Sequence, residues 1–278
     1  MKKVFLLVVA SLLVSVQLVR ANPAFSVTVV GKGEPVLFFP GFACPGELWQ
    51  ETVAELSKMY ECHVFTFAGF GNVPAIEKPW LPKIKEEVMA YVQQKQLHKA
   101  TLVGHSLGGT LALWMAATKS DLFKKVIAVD ALPCNGAVMM PNYNADAITY
   151  DNPYSRQMLQ QDSASFRAAA VQQAAFMMKP QHRQQQVVNW MMQADRNTYV
   201  YGYIDLLKLD LRKDMANISM PVVILAATNP SKQVVEKTYN EQYALLANKQ
   251  IFYADQSAHF IMYDQPEWMM QQLKQNLQ

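Results

Sequence analysis

Residues 101–118, TLVGHSLGGTLALWMAAT, carry the strongest structural signal in the chain. A short apolar run, Thr101–Val103, leads through a glycine-rich turn into an Ala- and Leu-rich segment, Thr110–Thr118. This order predicts a strand, a sharp turn and a helix. Because small residues stand two positions before and two after Ser106, the strand and the helix can approach closely, and the turn can hold the Ser106 hydroxyl above the sheet edge. An ordinary Gly-rich turn is the alternative at this point.

Outside this segment, short Val-, Ile- and Leu-rich runs alternate with segments of helical periodicity. The predicted strands are Val36–Phe39, Cys62–Phe67, Thr101–Val103, Val126–Val129, Val222–Ala226 and Gln250–Tyr253. Helices are predicted over 48–60, 84–94 and 110–118, with a final one after Pro266. Continuous apolar strands alternating with helices are typical of a mostly parallel central sheet with helices on both faces, so the predicted fold class is α/β.

The rhythm changes between Asn135 and Ser219, where no strand-like run occurs and eight of the 16 methionines lie. Helical spacing is predicted over 163–178 and 184–193. The sequence therefore divides into a core, residues 22–134 and 220–278, and an inserted helical cap, residues 135–219. The Met-rich helices form a small local core, and the same insertion can roof a site with an adaptable apolar wall.

Charge and composition exclude several classes of protein. Hydrophobic residues make up 51% of the 278 residues, which excludes intrinsic disorder. The net charge of +3 arises from three basic residues within the first 21, so the remainder of the chain is formally neutral. A neutral chain without a basic run lacks what phosphate backbones require, and no nucleic-acid partner is expected.

Residues 1–21 have the order of a secretory signal peptide. A Met-Lys-Lys head precedes the apolar stretch Val4–Val19, and Val19-Arg20-Ala21 offers small residues for cleavage. An uncleaved anchor is the alternative, but the stretch is short and interrupted by polar residues. We therefore expect an exported bacterial protein, periplasmic or secreted, with no stable membrane insertion after cleavage.

Three cysteines, Cys44, Cys62 and Cys134, are too few for a disulfide framework. A bridge between Cys44 and Cys134 stays open, because both residues follow predicted strands that end near each other. Neither C-x-x-C nor H-x-x-x-H spacing occurs, so no metal site is predicted. No cofactor is implied either.

Several segments together resemble a known family. They are Phe39–Phe42 with Trp49, Gly69–Gly71, Gly104–Gly109 and Ser257–Phe260. Through them the chain resembles a serine hydrolase of the α/β-hydrolase fold superfamily over nearly all of residues 22–278. The resemblance implies a nucleophile at Ser106 and a helical lid at 135–219. It also implies an oxyanion hole, which we expect from the backbone N–H groups of Phe42 and Leu107.

A serine hydroxyl needs a base to take its proton, and five histidines compete for that role. His259 follows the last predicted strand, where the family's base lies, and the order Ser, acid, His agrees. His105 adjoins Ser106 and is interpreted as a residue that supports the turn. His63 lies in a buried strand, His98 ends a helix and His182 falls in the insertion.

The acid is less obvious, because the commonest family position, after the strand Val222–Ala226, holds Asn229. An asparagine cannot stabilise an imidazolium as a carboxylate does. Asp130 ends the neighbouring strand and is predicted to reach the same imidazole, with a turn-capping role as the alternative. We interpret Asp205, Asp210 and Asp214 as helix-end or surface residues. Asp255 and Asp264 flank His259 without obvious reach to its ring.

These residues predict acyl-enzyme chemistry on a small or medium apolar carboxylic ester. Two alternatives stay open at the level of sequence. One is cofactor-free carbon–carbon bond hydrolysis or perhydrolysis on the same three residues. The other is a non-catalytic ligand-binding homologue, a reading that rests on Asn229. Fold resemblance alone does not choose among them.

Overall fold

The computed structural model describes residues 22–278; the predicted signal peptide, residues 1–21, lies outside the described residues. A central sheet of seven strands has the spatial order β1-β3-β2-β4-β5-β6-β7. Its strands are β1 (Phe25–Val30), β2 (Glu34–Phe39), β3 (Tyr60–Phe67), β4 (Ala100–His105), β5 (Phe123–Val129), β6 (Val222–Ala227) and β7 (Lys249–Ala254). All neighbouring pairs are parallel except β1 with β3, which confirms the predicted α/β class.

Eleven α-helices accompany the sheet within the described residues. In the core these are α1 (Gln50–Leu56), α2 (Trp80–Gln94), α3 (Leu107–Thr118), α9 (Lys232–Gln242), α10 (Ile261–Asp264) and α11 (Pro266–Asn276). Between β5 and β6 lie α4 (Gly136–Met139), α5 (Pro153–Gln160), α6 (Ser163–Met177), α7 (Gln181–Gln193) and α8 (Arg196–Lys208). No strand occurs between β5 and β6 in this described stretch.

Strands β4 and β6 are buried along their whole length, because helices or neighbouring strands cover them on every side. This explains their continuous apolar sequences. The carboxyl ends of β4, β5, β6 and β7 meet at one edge of the sheet, since these strands run parallel. That edge is where an open α/β sheet binds its ligands.

Strand β1 was not predicted from the sequence. It is the antiparallel edge strand, and its residues are mostly exposed or only half-buried. Its sequence, FSVTVV, alternates in polarity over the first few positions, which is the weak signal typical of an edge strand. In the sheet, β3 and β2 separate it from β4, which leads into Ser106.

The three cysteines are free, buried thiols, so the structure does not form the bridge between Cys44 and Cys134 that the sequence left open. Burial raises the pKa of the Cys62 thiol to about 11 and raises that of Cys44 further. Both thiols are therefore held protonated and unreactive. No helix within residues 22–278 has the length and apolar character needed to cross a membrane.

Candidate active site

Ser106 sits at a strained turn between β4 and α3. Its backbone has φ 52° and ψ −120°, a left-handed conformation that a side chain tolerates only when the surroundings enforce it. The flanking glycines explain how. A Cβ at Gly104 would lie 2.2 Å from the Gly108 carbonyl oxygen, and one at Gly108 would lie 2.4 Å from the Phe39 carbonyl oxygen. Only glycine allows this close approach of strand and helix.

The loop that follows β2 lies beside the serine. A Cβ at Gly41 would lie 3.6 Å from Ser106 Cβ, so the backbone that leads into Phe42 passes next to the hydroxyl-bearing carbon. The Phe42 ring packs edge-on against Phe70 and Tyr199, with centroids 5.2 and 5.3 Å away. Leu107 is the first residue of α3, where N–H groups have no partner inside the helix. The two predicted oxyanion donors therefore lie beside Ser106, one in the loop after β2 and one at the start of α3.

Asp130 lies directly after β5 and contacts His259, which follows β7. His259 Nδ1 is 2.6 Å from Asp130 Oδ2. The other carboxylate oxygen, Oδ1, accepts hydrogen bonds from the Ala227 N–H at 2.9 Å and from the Tyr239 hydroxyl at 2.8 Å. Burial by itself would raise the pKa of Asp130, but these donors bring it below its ordinary value. The carboxylate is therefore ionised at neutral pH.

The two candidate acid positions differ in their contact with His259. Asn229, in the loop after β6, is exposed and lines the same cavity, but the hydrogen bond to the His259 ring comes from Asp130. Asp130 also does not cap the turn that follows it. Its backbone has φ 44°, and its N–H donates to the Leu225 carbonyl of β6 at 2.7 Å. The residue is thus fixed at both main chain and side chain.

His105 holds the loop that carries His259. Its Nε2–H donates to the His259 carbonyl oxygen at 3.1 Å, and the two rings lie 4.6 Å apart between centroids. Burial lowers the pKa of His105 to about 3, so its ring is neutral. The interpretation of His105 as a residue that supports the turn is too narrow, because the side chain also positions the neighbouring histidine.

Asp264 ties this loop to the insertion, a role that the sequence does not predict. Its carboxylate accepts the Ala258 N–H and the Lys179 N–H, both at 2.8 Å. The Phe260 N–H donates to the Met177 carbonyl at 3.1 Å. The prediction that Asp264 lacks reach to the imidazole is consistent with this, but the residue joins the backbone before His259 to the backbone of the insertion.

Asp205 lies in the last turn of α8, as the helix-end interpretation expects, but it is not a surface residue. This residue is buried, and its Oδ2 accepts the N–H groups of Trp80 and Leu81 at 2.6 and 3.0 Å. It therefore caps the start of α2 from the distant helix α8. The spacing of more than 120 residues hides this contact from any local pattern.

A cavity of about 440 Å³ opens above Ser106, Asp130 and His259. The insertion contributes the apolar side chains Met139, Phe176, Met177, Met191 and Leu206. Further polar side chains come from Asn135, Gln173, Tyr203 and Asn229. No Lys or Arg side chain from residues 22–278 lines it. The Ser106 hydroxyl and the His259 ring both line this cavity without a direct hydrogen bond between them. No group of three or more described His, Cys, Asp or Glu side chains is arranged to hold a metal ion.

A doubly covered parallel sheet, a serine on a strained strand-to-helix turn and a histidine–aspartate pair at the same sheet edge define a class of hydrolytic enzyme. The sequence profile described as alpha/beta hydrolase fold matches residues 34–266. The chain belongs to this family of enzymes.

Relatives of known activity are hydrolases. The chain is 23% identical to 3-oxoadipate enol-lactonase 1 of Acinetobacter baylyi over 260 residues, covering 91% of this chain and 92% of the relative. It is 26% identical to the pimeloyl-acyl-carrier-protein methyl ester esterase of Vibrio cholerae over 251 residues, covering 88% and 94%. The crystal structure of an enol-lactonase from Burkholderia xenovorans LB400 superposes with a TM-score of 0.75 at 14% identity, covering 91% of this chain and 96% of that one. That likeness shows the fold.

Proposed function

We propose that the protein is a serine esterase in which Ser106 is the nucleophile, His259 the base and Asp130 the residue that orients it. The observation that carries this proposal is the 2.6 Å contact between His259 Nδ1 and Asp130 Oδ2 at the cavity that Ser106 lines. An ionised aspartate on Nδ1 fixes the ring so that Nε2 is the free base. Among the described residues that line this cavity, Ser106 and Tyr203 are the two with a hydroxyl group.

In the first half-reaction, His259 Nε2 takes the Ser106 proton as the oxygen attacks the ester carbonyl. The developing oxyanion accepts hydrogen bonds from the N–H groups of Phe42 and Leu107. Asp130 stabilises the imidazolium, which then protonates the leaving alcohol as the carbon–oxygen bond breaks. Proton transfer requires the Ser106 hydroxyl and the imidazole to close to hydrogen-bond distance, and the shared cavity allows this.

In the second half-reaction, water replaces the alcohol. His259 deprotonates the water, which attacks the acyl carbon, and the carboxylic acid leaves as Ser106 recovers its proton. The helices of 135–219 act as the cap in this proposal, because they supply most of the apolar side chains above the reacting atoms.

The cavity lining supports an uncharged, apolar acyl group as the substrate. Asp130 and His259 are the residues there that carry charge in the reaction, and the former is already paired. A free carboxylate elsewhere on the substrate would be buried among methionine and phenylalanine side chains without a cation, which costs several kcal/mol. We therefore propose neutral esters of small or medium chain length.

Dimethyl adipate and monomethyl adipate test the substrate class, since they differ in one terminal carboxylate. We expect kcat/KM to be at least about tenfold higher for the neutral diester, because the monoester must bury its charge. The measurement is the initial rate of methanol release at pH 7 for both compounds, with methyl butanoate as a reference ester. Preference for the monoester would contradict the proposed substrate class without touching the proposed nucleophile.

Carbon–carbon bond hydrolysis would use the same residues, and a screen of aryl esters against β-diketones separates the two reactions. The reading as a non-catalytic binding protein rested on Asn229. That alternative assumes that no carboxylate contacts the imidazole, whereas Asp130 contacts the His259 ring.

We also propose that the protein is exported and loses residues 1–21. The support is the sequence order of that segment, a basic head, an apolar stretch and small residues before Asn22. Intact mass spectrometry of protein recovered from the periplasmic and secreted fractions should give the mass of residues 22–278. Recovery of the full-length mass, residues 1–278, from the membrane fraction would contradict cleavage.

A further inference from the structure

The Asp130 carboxylate meets different partners on its two oxygens. Oδ2 faces His259, whereas Oδ1 accepts one backbone N–H, from Ala227, and one side-chain hydroxyl, from Tyr239. Tyr239 lies on α9, 109 residues further along the chain. Its hydroxyl is the one side-chain donor, besides the His259 ring, that reaches this carboxylate within residues 22–278.

Tyr239 is fixed as firmly as the carboxylate it contacts. Its side chain is buried, and its ring stacks on Tyr243, one helical turn later, with centroids 5.9 Å apart and planes 23° apart. Burial raises its pKa well above the ordinary value for tyrosine, so the hydroxyl keeps its proton throughout the range in which an esterase works. Tyr239 is therefore a permanent donor to Asp130 Oδ1.

Two consequences follow for the carboxylate. First, two donors on Oδ1 hold the carboxylate plane, which leaves Oδ2 directed at the imidazole. Second, a hydrogen bond to one oxygen draws negative charge towards it and away from the other. Oδ2 then stabilises the imidazolium enough to support proton transfer, but less than an undivided carboxylate would, so His259 stays available as a base.

We propose that Tyr239 is a positioning residue that acts on the reaction through Asp130, setting both the orientation and the charge of the carboxylate that faces His259. The inference rests on the proposed function, since it requires that His259 activates Ser106. Tyr239 is thus a fourth side chain that acts with Ser106, His259 and Asp130, and it comes from a helix outside the cavity.

Other ionisable groups face the pair from several elements. His105 of β4 is neutral and contacts His259 through its ring and the main chain. Tyr243, directly after α9, donates to the Ala131 carbonyl at 2.7 Å and does not touch the carboxylate. Tyr253 of β7 lies near Tyr239, and Asp264 holds the Ala258 N–H. Each of these stays in place when only the Tyr239 hydroxyl is removed.

Tyr243 offers a matched control because it directly follows α9, is buried like Tyr239 and also donates one hydrogen bond to a group just after β5. Tyr239→Phe and Tyr243→Phe each remove one hydroxyl and keep the stacked rings. A merely structural role predicts that both changes lower stability and leave the pH profile alone. A positioning role predicts that Tyr239→Phe alone changes the profile.

The experiment measures the second-order rate constant for inactivation by a fluorophosphonate between pH 5 and 9. For Tyr239→Phe we expect the acidic limb to move up by about half a pH unit, because an undivided carboxylate favours the imidazolium, and the plateau to fall about threefold to tenfold. Tyr243→Phe should keep the wild-type limb. In the Asp130→Asn background, Tyr239→Phe should cause little further loss.

Thermal unfolding of each variant shows that it is folded. The reactivity of the wild-type protein distinguishes a failure of the proposed function from a failure of the role of Tyr239. Failure of the wild-type protein to react with the probe would overturn the proposed function itself. With a reactive wild type, identical pH limbs for the two variants, or losses that simply multiply in the double variant, would overturn the role of Tyr239.

Discussion

Ser106→Ala should lower kcat/KM for a simple aryl ester by about five to six orders of magnitude, because the variant has no atom that can form the acyl-enzyme. The oxyanion donors and the cavity remain, so a slow background above the uncatalysed rate is expected to survive. The substitution keeps a Cβ in the same strained backbone conformation, and we expect no loss of folding. Initial rates of chromogenic ester hydrolysis measure the effect.

Ser120→Ala is the control for this change. Its hydroxyl contacts Ser219 at 2.9 Å outside the cavity lining, so its removal should leave kcat/KM within about twofold of wild type. A Ser106→Ala variant that kept more than a few per cent of the wild-type rate, while folded, would show that another group is the nucleophile.

Asp130→Asn is expected to reduce turnover by about four orders of magnitude. The amide keeps the size of the side chain but offers no charge to the imidazolium, and its N–H₂ favours the wrong tautomer of His259. Asn229→Ala, the matched change at the alternative acid position, should cost less than about threefold. Steady-state hydrolysis of the same aryl ester measures the turnover of both variants, and thermal unfolding shows whether each is folded.

The reverse pattern would assign the acid to the loop after β6 and contradict the geometry at Asp130. Equal, small losses from both variants would mean that the imidazole does not work as a base, whatever its contacts. The two outcomes are distinguishable because Asn229 lines the cavity without bonding to the His259 ring.

Local patterns were sufficient for the fold class and for three candidate residues that the structure brings to one edge of the sheet. Ser106 and its glycines form a contiguous segment, so the close approach of β4 and α3 is encoded within a few positions. Asp130 and His259 each end a strand, and parallel strands bring their carboxyl ends to one edge. The sequence therefore led to residues that the structure places together, although they are 153 positions apart at most.

Long-range side-chain contacts were beyond local patterns. Tyr239 lies in α9, whose apolar and polar residues gave no helix prediction, and its contact with Asp130 depends on how that helix packs on the sheet. The roles of Asp205 and Asp264 are also missed, because each accepts backbone N–H groups from a distant segment. Backbone N–H donors leave no trace in the sequence, so such roles emerge only from the fold.

The central claim is that Ser106 is an activated nucleophile, and an intact mass before and after treatment with a fluorophosphonate tests it most directly. We expect one adduct per chain on the wild-type protein and none on Ser106→Ala, with labelling strongly slowed in Asp130→Asn. Absence of an adduct on folded wild-type protein, or an adduct that persists in Ser106→Ala, would contradict the account.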